Sequence, residues 1–165
     1  MRVYVACLSA YNNGQLHGEW IDVSPDVEAM QEAINDMLEL SPQPHAEEWA
    51  IHDHEGFGSL HLSEYTPLVT LAEYAEFYAD HEELGLELLA HFNDISETIE
   101  AIENHYHGEY DSEEDFAIKF TEETGMEIPK HLAYYIDYAA MARDYFINDF
   151  YSIETGSTIH VFSHY

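Results

Sequence analysis

Apolar positions in the first 60 residues change period twice, and each change predicts an element. Val3, Val5 and Cys7 alternate with Tyr4, Ala6 and Leu8, and both sets are largely apolar, which predicts a central strand covered on both faces. Asn12-Asn13-Gly14 predicts a hairpin turn into a second strand around His17 to Val23. Ser24 as cap and Pro25 at the first position then open a helix whose buried stripe is Val27, Met30, Ile34 and Met37 or Leu38. Ser41-Pro42-Gln43-Pro44 ends it. Glu48 to His54 returns as a third strand with Trp49 and Ile51 inward, and Gly56 and Gly58 mark its exit.

From Tyr65 the period becomes helical. Thr70 is the predicted cap of a helix carrying Leu71, Tyr74, Ala75, Phe77 and Tyr78; a short helix from Glu87 to Phe92 follows Gly85; Ser96 starts another, with Ile95, Ile99 and Ile102 on its apolar side. His105 to Tyr110 leaves the helical region. Ser112 with Asp115 resembles a capping box for the next helix, which Gly125 closes. Pro129 suits the first turn of a further helix, with Leu132, Ile136, Ala139, Ala140 and Arg143 at helical spacing and Tyr134, Tyr135, Tyr138, Tyr145 and Phe146 as an aromatic flank. Phe150 to Glu154 and Thr158 to Phe162 alternate as strands around Thr155-Gly156-Ser157, a hairpin. The pattern predicts an α+β chain of three small units: a sheet with one helix over 1–62, a helical middle over 63–104 and an α+β unit over 105–165. Units this small bury little surface by themselves, so they are expected to need one another or a homodimer partner.

The polar faces of these helices are almost entirely acidic. Glu73, Glu76, Asp80 and Glu83 recur at i, i+3, i+7 and i+10, and Glu97, Glu100 and Glu103 at threefold spacing. Like charges one turn apart cost about 0.2–0.5 kcal/mol per pair, so helix stability does not select such stripes. For any one stripe, a solvated face of good helix formers is the plainer account. Glu113, Glu114 and Asp115 also suit the positive N-terminus of their helix.

Composition turns the stripes into a property of the whole chain. Against 34 Asp and Glu stand only Arg2, Lys119, Lys130 and Arg143, a formal charge of -30 at pH 7. No acidic tail explains it: residues 1–60 hold 11 acids and one base, 61–103 hold 11 acids and no base, and 104–165 hold 12 acids and three bases. Duplex DNA carries about one charge per 1.7 Å of axis, so thirty charges match roughly 50 Å of duplex and a dimer's sixty roughly 100 Å. Such a surface repels nucleic acid and anionic membranes and attracts basic grooves, of which DNA-binding enzymes are the largest supply. The candidate DNA-mimic surface comprises both stripes together with Glu109, Asp111, Glu113, Glu114, Asp115, Glu122 and Glu123.

Other chemistry is thinly represented. The single cysteine, Cys7, allows no internal disulfide and reads as a small buried strand residue. No run reaches the ~18 apolar residues of a membrane span, and the N-terminus lacks the pattern of a signal peptide, so a cytoplasmic protein is expected. His52 and His54 in a strand would share one face and could both ligate zinc; His105 and His107 invite the same reading. Surface histidine is the blander account, and no HExxH, CxxC or calcium-loop spacing accompanies them, so no metal or cofactor is assigned. Carboxylates are too abundant for any pair to suggest acid–base catalysis, and no phosphate loop or nucleophile elbow occurs. The expectation is a non-catalytic protein. An acidic binding module for another basic DNA-binding protein, and a halophilic or metal-dependent enzyme, are the alternatives.

The segment IPKHLAYYIDYAAMARD, the opening RVYVACLSAYNNGQLHGEW and the length together resemble the ArdA antirestriction proteins, a family carried by plasmids and conjugative elements. The resemblance implies an elongated dimer shaped and charged like bent B-form DNA, occupying the DNA-binding groove of type I restriction-modification enzymes. It also implies a restriction-blocking motif in or near Phe116 to Tyr138, in a stretch associated with dimer contacts. Tyr134, Tyr135, Asp137, Tyr138 and Met141 are on that ground candidate dimer or motif residues. Ala139 stands where family members commonly carry an acidic residue after the Asp-Tyr pair.

Overall fold

Strand β1 (Arg2–Cys7) lies at the centre of an antiparallel sheet ordered β2-β1-β3, with β2 at Gly18–Asp22 and β3 at Trp49–Glu55. Its double apolar alternation is used as predicted: Val3, Val5, Ala6 and Cys7 are all buried. The structure, a computed structural model, describes residues 1–125 and 128–164. Met126 and Glu127, inside the Phe116 to Tyr138 motif stretch, and Tyr165 lie outside the described residues. The chain is α+β, with six α-helices and two three-stranded antiparallel sheets among the described residues. It divides into two compact units, Met1–Leu86 and Glu87–Tyr165.

In the first unit a short helix, α1 (Leu8–Asn12), stands between β1 and β2 where a tight hairpin was expected. Strand pairing runs out at Ala6 opposite Gly18, and the Leu8 amide donates instead to the Glu48 carbonyl at 3.0 Å, while Ala10 turns into the core. Helix α2 (Val27–Glu39) buries Met30, Ile34, Met37 and Leu38. It starts two residues later than Ser24-Pro25 suggests, because the Asp26 carboxylate accepts from the Ala29 amide at 3.0 Å and so becomes the cap. In β3 a register shift opposite Tyr4 and Val5 pairs Val5 with Ile51 and Tyr4 with Asp53. The bulge leaves His52 without a place in the alternation, so Ala50 and Ile51 are both buried and Trp49 is only half-buried.

Helix α3 (Leu68–Phe92) departs most from its pattern. Thr70 lies inside it rather than at its cap, and the break expected at Gly85 occurs at Glu82, whose φ of 50° and ψ of -142° belong to glycine. Such a conformation costs about 1–3 kcal/mol and persists only where packing imposes it. Gly85 leaves room for the break: a Cβ there would lie 2.5 Å from His81 Cβ and 2.9 Å from the Phe77 ring, so only glycine fits against the first leg.

In the second unit α4 (Ile95–Glu100) is capped by Asp94 rather than Ser96, with the Asp94 carboxylate accepting from the Glu97 amide at 2.9 Å. Thr98 and Ala101 form its buried line, and Ile95, Ile99 and Ile102 are half-buried. A π-helical turn, Ala101–His105, leads into β4 (Tyr106–Tyr110), an edge of a sheet ordered β4-β6-β5. Helix α5 (Glu113–Glu123) opens as predicted, its cap Ser112 accepting from the Asp115 amide at 3.1 Å. Strands β5 (Phe150–Thr155) and β6 (Thr158–Ser163) pair Thr155 with Thr158 across Gly156-Ser157, and Gly156 supplies the positive φ of 60° that a two-residue loop requires. Tyr110, Phe116, Phe150 and Val161 form the core, with Phe120, Tyr145, Phe146 and Ile159 packed against it.

The helix expected from Pro129 does not form there. The described residues from 128 to 137 hold one 3-10 turn, Ala133–Tyr135, and α6 spans Tyr138–Asn148. Asp137 accepts from the Ala140 amide at 2.9 Å, and Ile136 before it is extended, so the cap starts the helix nine residues after the proline. Leu132 and Ile136 therefore do not share a helical face with Ala139, Ala140 and Arg143.

Candidate partner surface

Burying a carboxylate without a partner costs several kcal/mol, so a chain this short of cations must keep its acids in water. Of the fourteen candidate mimic residues twelve are exposed: Glu73, Glu76, Asp80, Glu83, Glu97, Glu100, Glu103, Glu109, Asp111, Glu114, Glu122 and Glu123. The other two are half-buried with local work. Glu113 accepts from the Ser152 hydroxyl at 3.2 Å, and Asp115 accepts from Lys119 at 2.7 Å and from the Asp111 amide at 3.4 Å. The Lys119 hydrogen bond holds the Asp115 carboxyl below the ordinary carboxylate range.

The structure does not join all of these into the stripes that spacing suggests. Glu73, Glu76 and Asp80 share the first leg of α3, whereas Glu83 follows the break at Glu82. Glu97 and Glu100 lie on α4, and Glu103 on the π-helical turn, whose wider pitch departs from threefold spacing. A further acidic face lies outside those candidates: Glu28, Glu32, Asp36 and Glu39 on α2, which the helical spacing leaves to solvent, are all exposed at i, i+4, i+8 and i+11, opposite the buried Met30 and Ile34. On a single unbroken helix they form one continuous acidic face.

Two of the four cations are tied to their own neighbours. Arg2 pairs with Glu55 at 2.7 Å and stacks over Trp20 at 4.7 Å; Lys119 pairs with Asp115 and lies 5.2 Å from the Tyr110 ring centre. The histidines weighed as metal ligands meet aromatic rings: His52 is edge-on to Tyr11 at 4.8 Å, His54 to Phe57 at 5.6 Å and His107 to Phe150 at 5.0 Å. Burial, with His105 adding to it, pushes the His107 pKa down. Among the described residues no three His, Cys, Asp or Glu side chains come together as a metal-holding group.

The candidate dimer or motif residues separate into three kinds. Tyr134 and Tyr135 are 95% and 84% exposed on the 3-10 turn. Asp137 is the cap of α6, and Tyr138, its first residue, is half-buried. Met141 is used within the chain: its sulfur accepts from the Thr121 hydroxyl at 3.3 Å, between α5 and α6.

A family model described as antirestriction protein (ArdA) matches residues 3–158 of the 165. The chain belongs to the ArdA antirestriction family. No curated protein matches it. Membership assigns an antirestriction function, that of an inhibitor rather than an enzyme, with restriction enzymes in general as its targets. In this ArdA-family chain both units expose acidic side chains, and the second also exposes the tyrosine pair. Among the described residues no helix is long and apolar enough to cross a membrane.

Proposed function

We propose that this ArdA-family chain is a DNA mimic that occupies the DNA-binding groove of type I restriction-modification enzymes and blocks their action on incoming DNA. The observation that carries the reading is a formal charge of -30 with no acidic tail, borne by carboxylates of which twelve of fourteen candidates are exposed. Fixed carboxylates displace the anions that neutralise a basic groove, and the released ions favour binding. The same charge repels nucleic acid and anionic membrane. The protein works in the cytoplasm, where incoming DNA meets these enzymes, on behalf of the mobile element that carries it. It acts as a homodimer, with Tyr134 and Tyr135 in the dimer contact.

Two expected results follow from this arrangement. Because the charge is redundant, Glu100→Gln is expected to change enzyme binding less than twofold, as read by titration calorimetry; a tenfold loss contradicts a distributed surface. The double variant Tyr134→Ser, Tyr135→Ser is expected to fall from dimer to protomer mass by light scattering with its circular dichroism unchanged. An unchanged mass places the dimer contact elsewhere.

The deciding experiment is competition. The protein is titrated into a purified type I enzyme holding labelled DNA, and release is followed by anisotropy. Release near stoichiometric protein supports the reading. No release from the type I enzyme, with release from an unrelated basic DNA-binding protein under the same conditions, replaces it with a general acidic binding module.

A further inference from the structure

In the first unit Trp49 and Tyr65 together line two adjoining open cavities. One, of about 490 Å³, is mainly apolar, with Val27, Pro67, Leu68 and Val69 in its walls. The other, of about 370 Å³, is completed by Leu8 and by the exposed Glu47 and Glu48. Tyr65 is 67% exposed, yet the chain on both sides of it is tied down. The Glu64 carbonyl accepts from the Ile51 amide of β3 at 2.9 Å, and the buried Thr66 hydroxyl accepts from the Ser63 amide at 3.0 Å and donates to the Ser63 carbonyl at 2.9 Å. An exposed ring on a fixed backbone buries area on binding at little cost in chain ordering.

Charge decides what such a cleft holds. Arg2 is the only Lys or Arg of the first unit, and it is committed: its guanidinium lies 4.7 Å over the Trp20 ring and pairs with Glu55 at 2.7 Å. Trp49 with Glu47 and Glu48 repeats that combination of indole and carboxylate, and the unit has no second Lys or Arg to complete it. The apolar cavity lies instead at Val27 and Leu68, the first residues of α2 and α3, whose positive N-terminal ends disfavour a cation. The two cavities therefore suit different groups, an apolar one and a cation, on either side of one aromatic pair. A second copy of this chain brings the same negative charge and, in its first unit, no spare Lys or Arg.

We propose that this cleft docks an extended peptide segment of a partner protein, one that carries a large apolar side chain and an arginine two residues apart. Side chains at i and i+2 of an extended segment leave the same face roughly 6.6 Å apart, so they enter on either side of the Trp49 and Tyr65 rings. The apolar group fills the cavity beside Val27 and Val69, and the guanidinium stacks on Trp49 beside Glu47 and Glu48. Arginine suits the second place because its planar group stacks on a ring and pairs with carboxylates at the same time. That the segment belongs to a restriction enzyme rests on the DNA-mimic reading; the docking itself does not.

The test reads the indole N–H cross-peaks of the 15N-labelled full chain, which come from Trp20 and Trp49 and are assigned with Trp20→Phe. The probe is the capped peptide Phe-Gly-Arg-Gly-Phe, which offers the spacing in both chain directions, at about 0.15 M salt to screen loose attraction to the acidic surface. The Trp49 peak is expected to shift to saturation while the Trp20 peak stays in place. Binding is expected to weaken at least about tenfold with Ser-Gly-Arg-Gly-Ser, with Phe-Gly-Gln-Gly-Phe, and in Tyr65→Ala. A Trp49 peak unmoved by millimolar probe overturns the docking, and so does undiminished binding in any of those three cases. Should Tyr65→Ala displace the Trp20 peak without peptide, Val69→Ser, at a residue 54% exposed, takes its place. DNA competition on a type I enzyme separates the two readings. Peptide docking with undiminished DNA release by Tyr65→Ala would leave the cleft standing with another partner, whereas DNA release by a parent that docks no peptide would strike the cleft and leave the mimic.

Discussion

Phe116→Ala is expected to destabilise the second unit by about 3–5 kcal/mol, the largest effect of any single substitution considered for this chain. Phe116 has no exposed surface, and its ring meets Phe150 at 4.8 Å, Tyr110 at 5.1 Å, Phe120 at 5.2 Å and Phe146 at 5.6 Å. Truncation removes the transfer free energy of the ring and leaves a cavity lined by other rings, which cannot collapse without giving up their own edge-to-face contacts. Little reserve absorbs the loss, because whole domains are stable by only about 5–15 kcal/mol and self-repulsion among unneutralised acids lowers this one. Urea unfolding followed by near-ultraviolet circular dichroism is expected to show an early transition for the second unit. Leu16→Ser, at a residue 90% exposed, serves as the control and is expected to stay within about 0.5 kcal/mol of the parent. A Phe116→Ala midpoint equal to the control's would mean that the aromatic cluster does not hold this unit together.

Raising salt from 50 to 200 mM is expected to weaken binding to a type I enzyme on the order of 10³-fold, if the acidic surface takes the place of six or more phosphates. The argument depends on exposure. Carboxylates in water interact with a groove through solvent and ions, over a screening length of about 10 Å at 0.1 M, and each engaged charge adds to the salt slope. Anisotropy of a labelled protein at four salt concentrations gives that slope directly. A flat line would remove electrostatics as the basis of recognition.

Where local spacing and tertiary packing agree, the chain reads correctly from its residues alone. The doubly apolar β1, the buried stripe of α2, the Ser112 cap of α5 and the β5–β6 hairpin all follow from period, capping chemistry and a glycine where a positive φ is needed. Capping positions at α2 and α4 shift because Asp26 and Asp94 compete with the nearby Ser24 and Ser96. Both residue types cap well, and only the position of the chain decides which oxygen reaches the free amide. The acidic surface was equally readable, since the scarcity of cations leaves carboxylates nowhere to be but in water. Its continuity was not: the α2 face is unbroken, whereas the α3 stripe is interrupted at Glu82.

By itself, then, the sequence determined the charge, its even spread and the α+β alternation, all of which depend on residue type and near neighbours. Only the tertiary structure decided that α3 breaks at Glu82, that the chain after Pro129 makes a 3-10 turn before α6, and that Tyr134 and Tyr135 face outward while Met141 packs inward. The reason is one of scale. Helix propensities differ by a few tenths of a kcal/mol per residue, and burying one large side chain, such as Phe77, outweighs the sum of several.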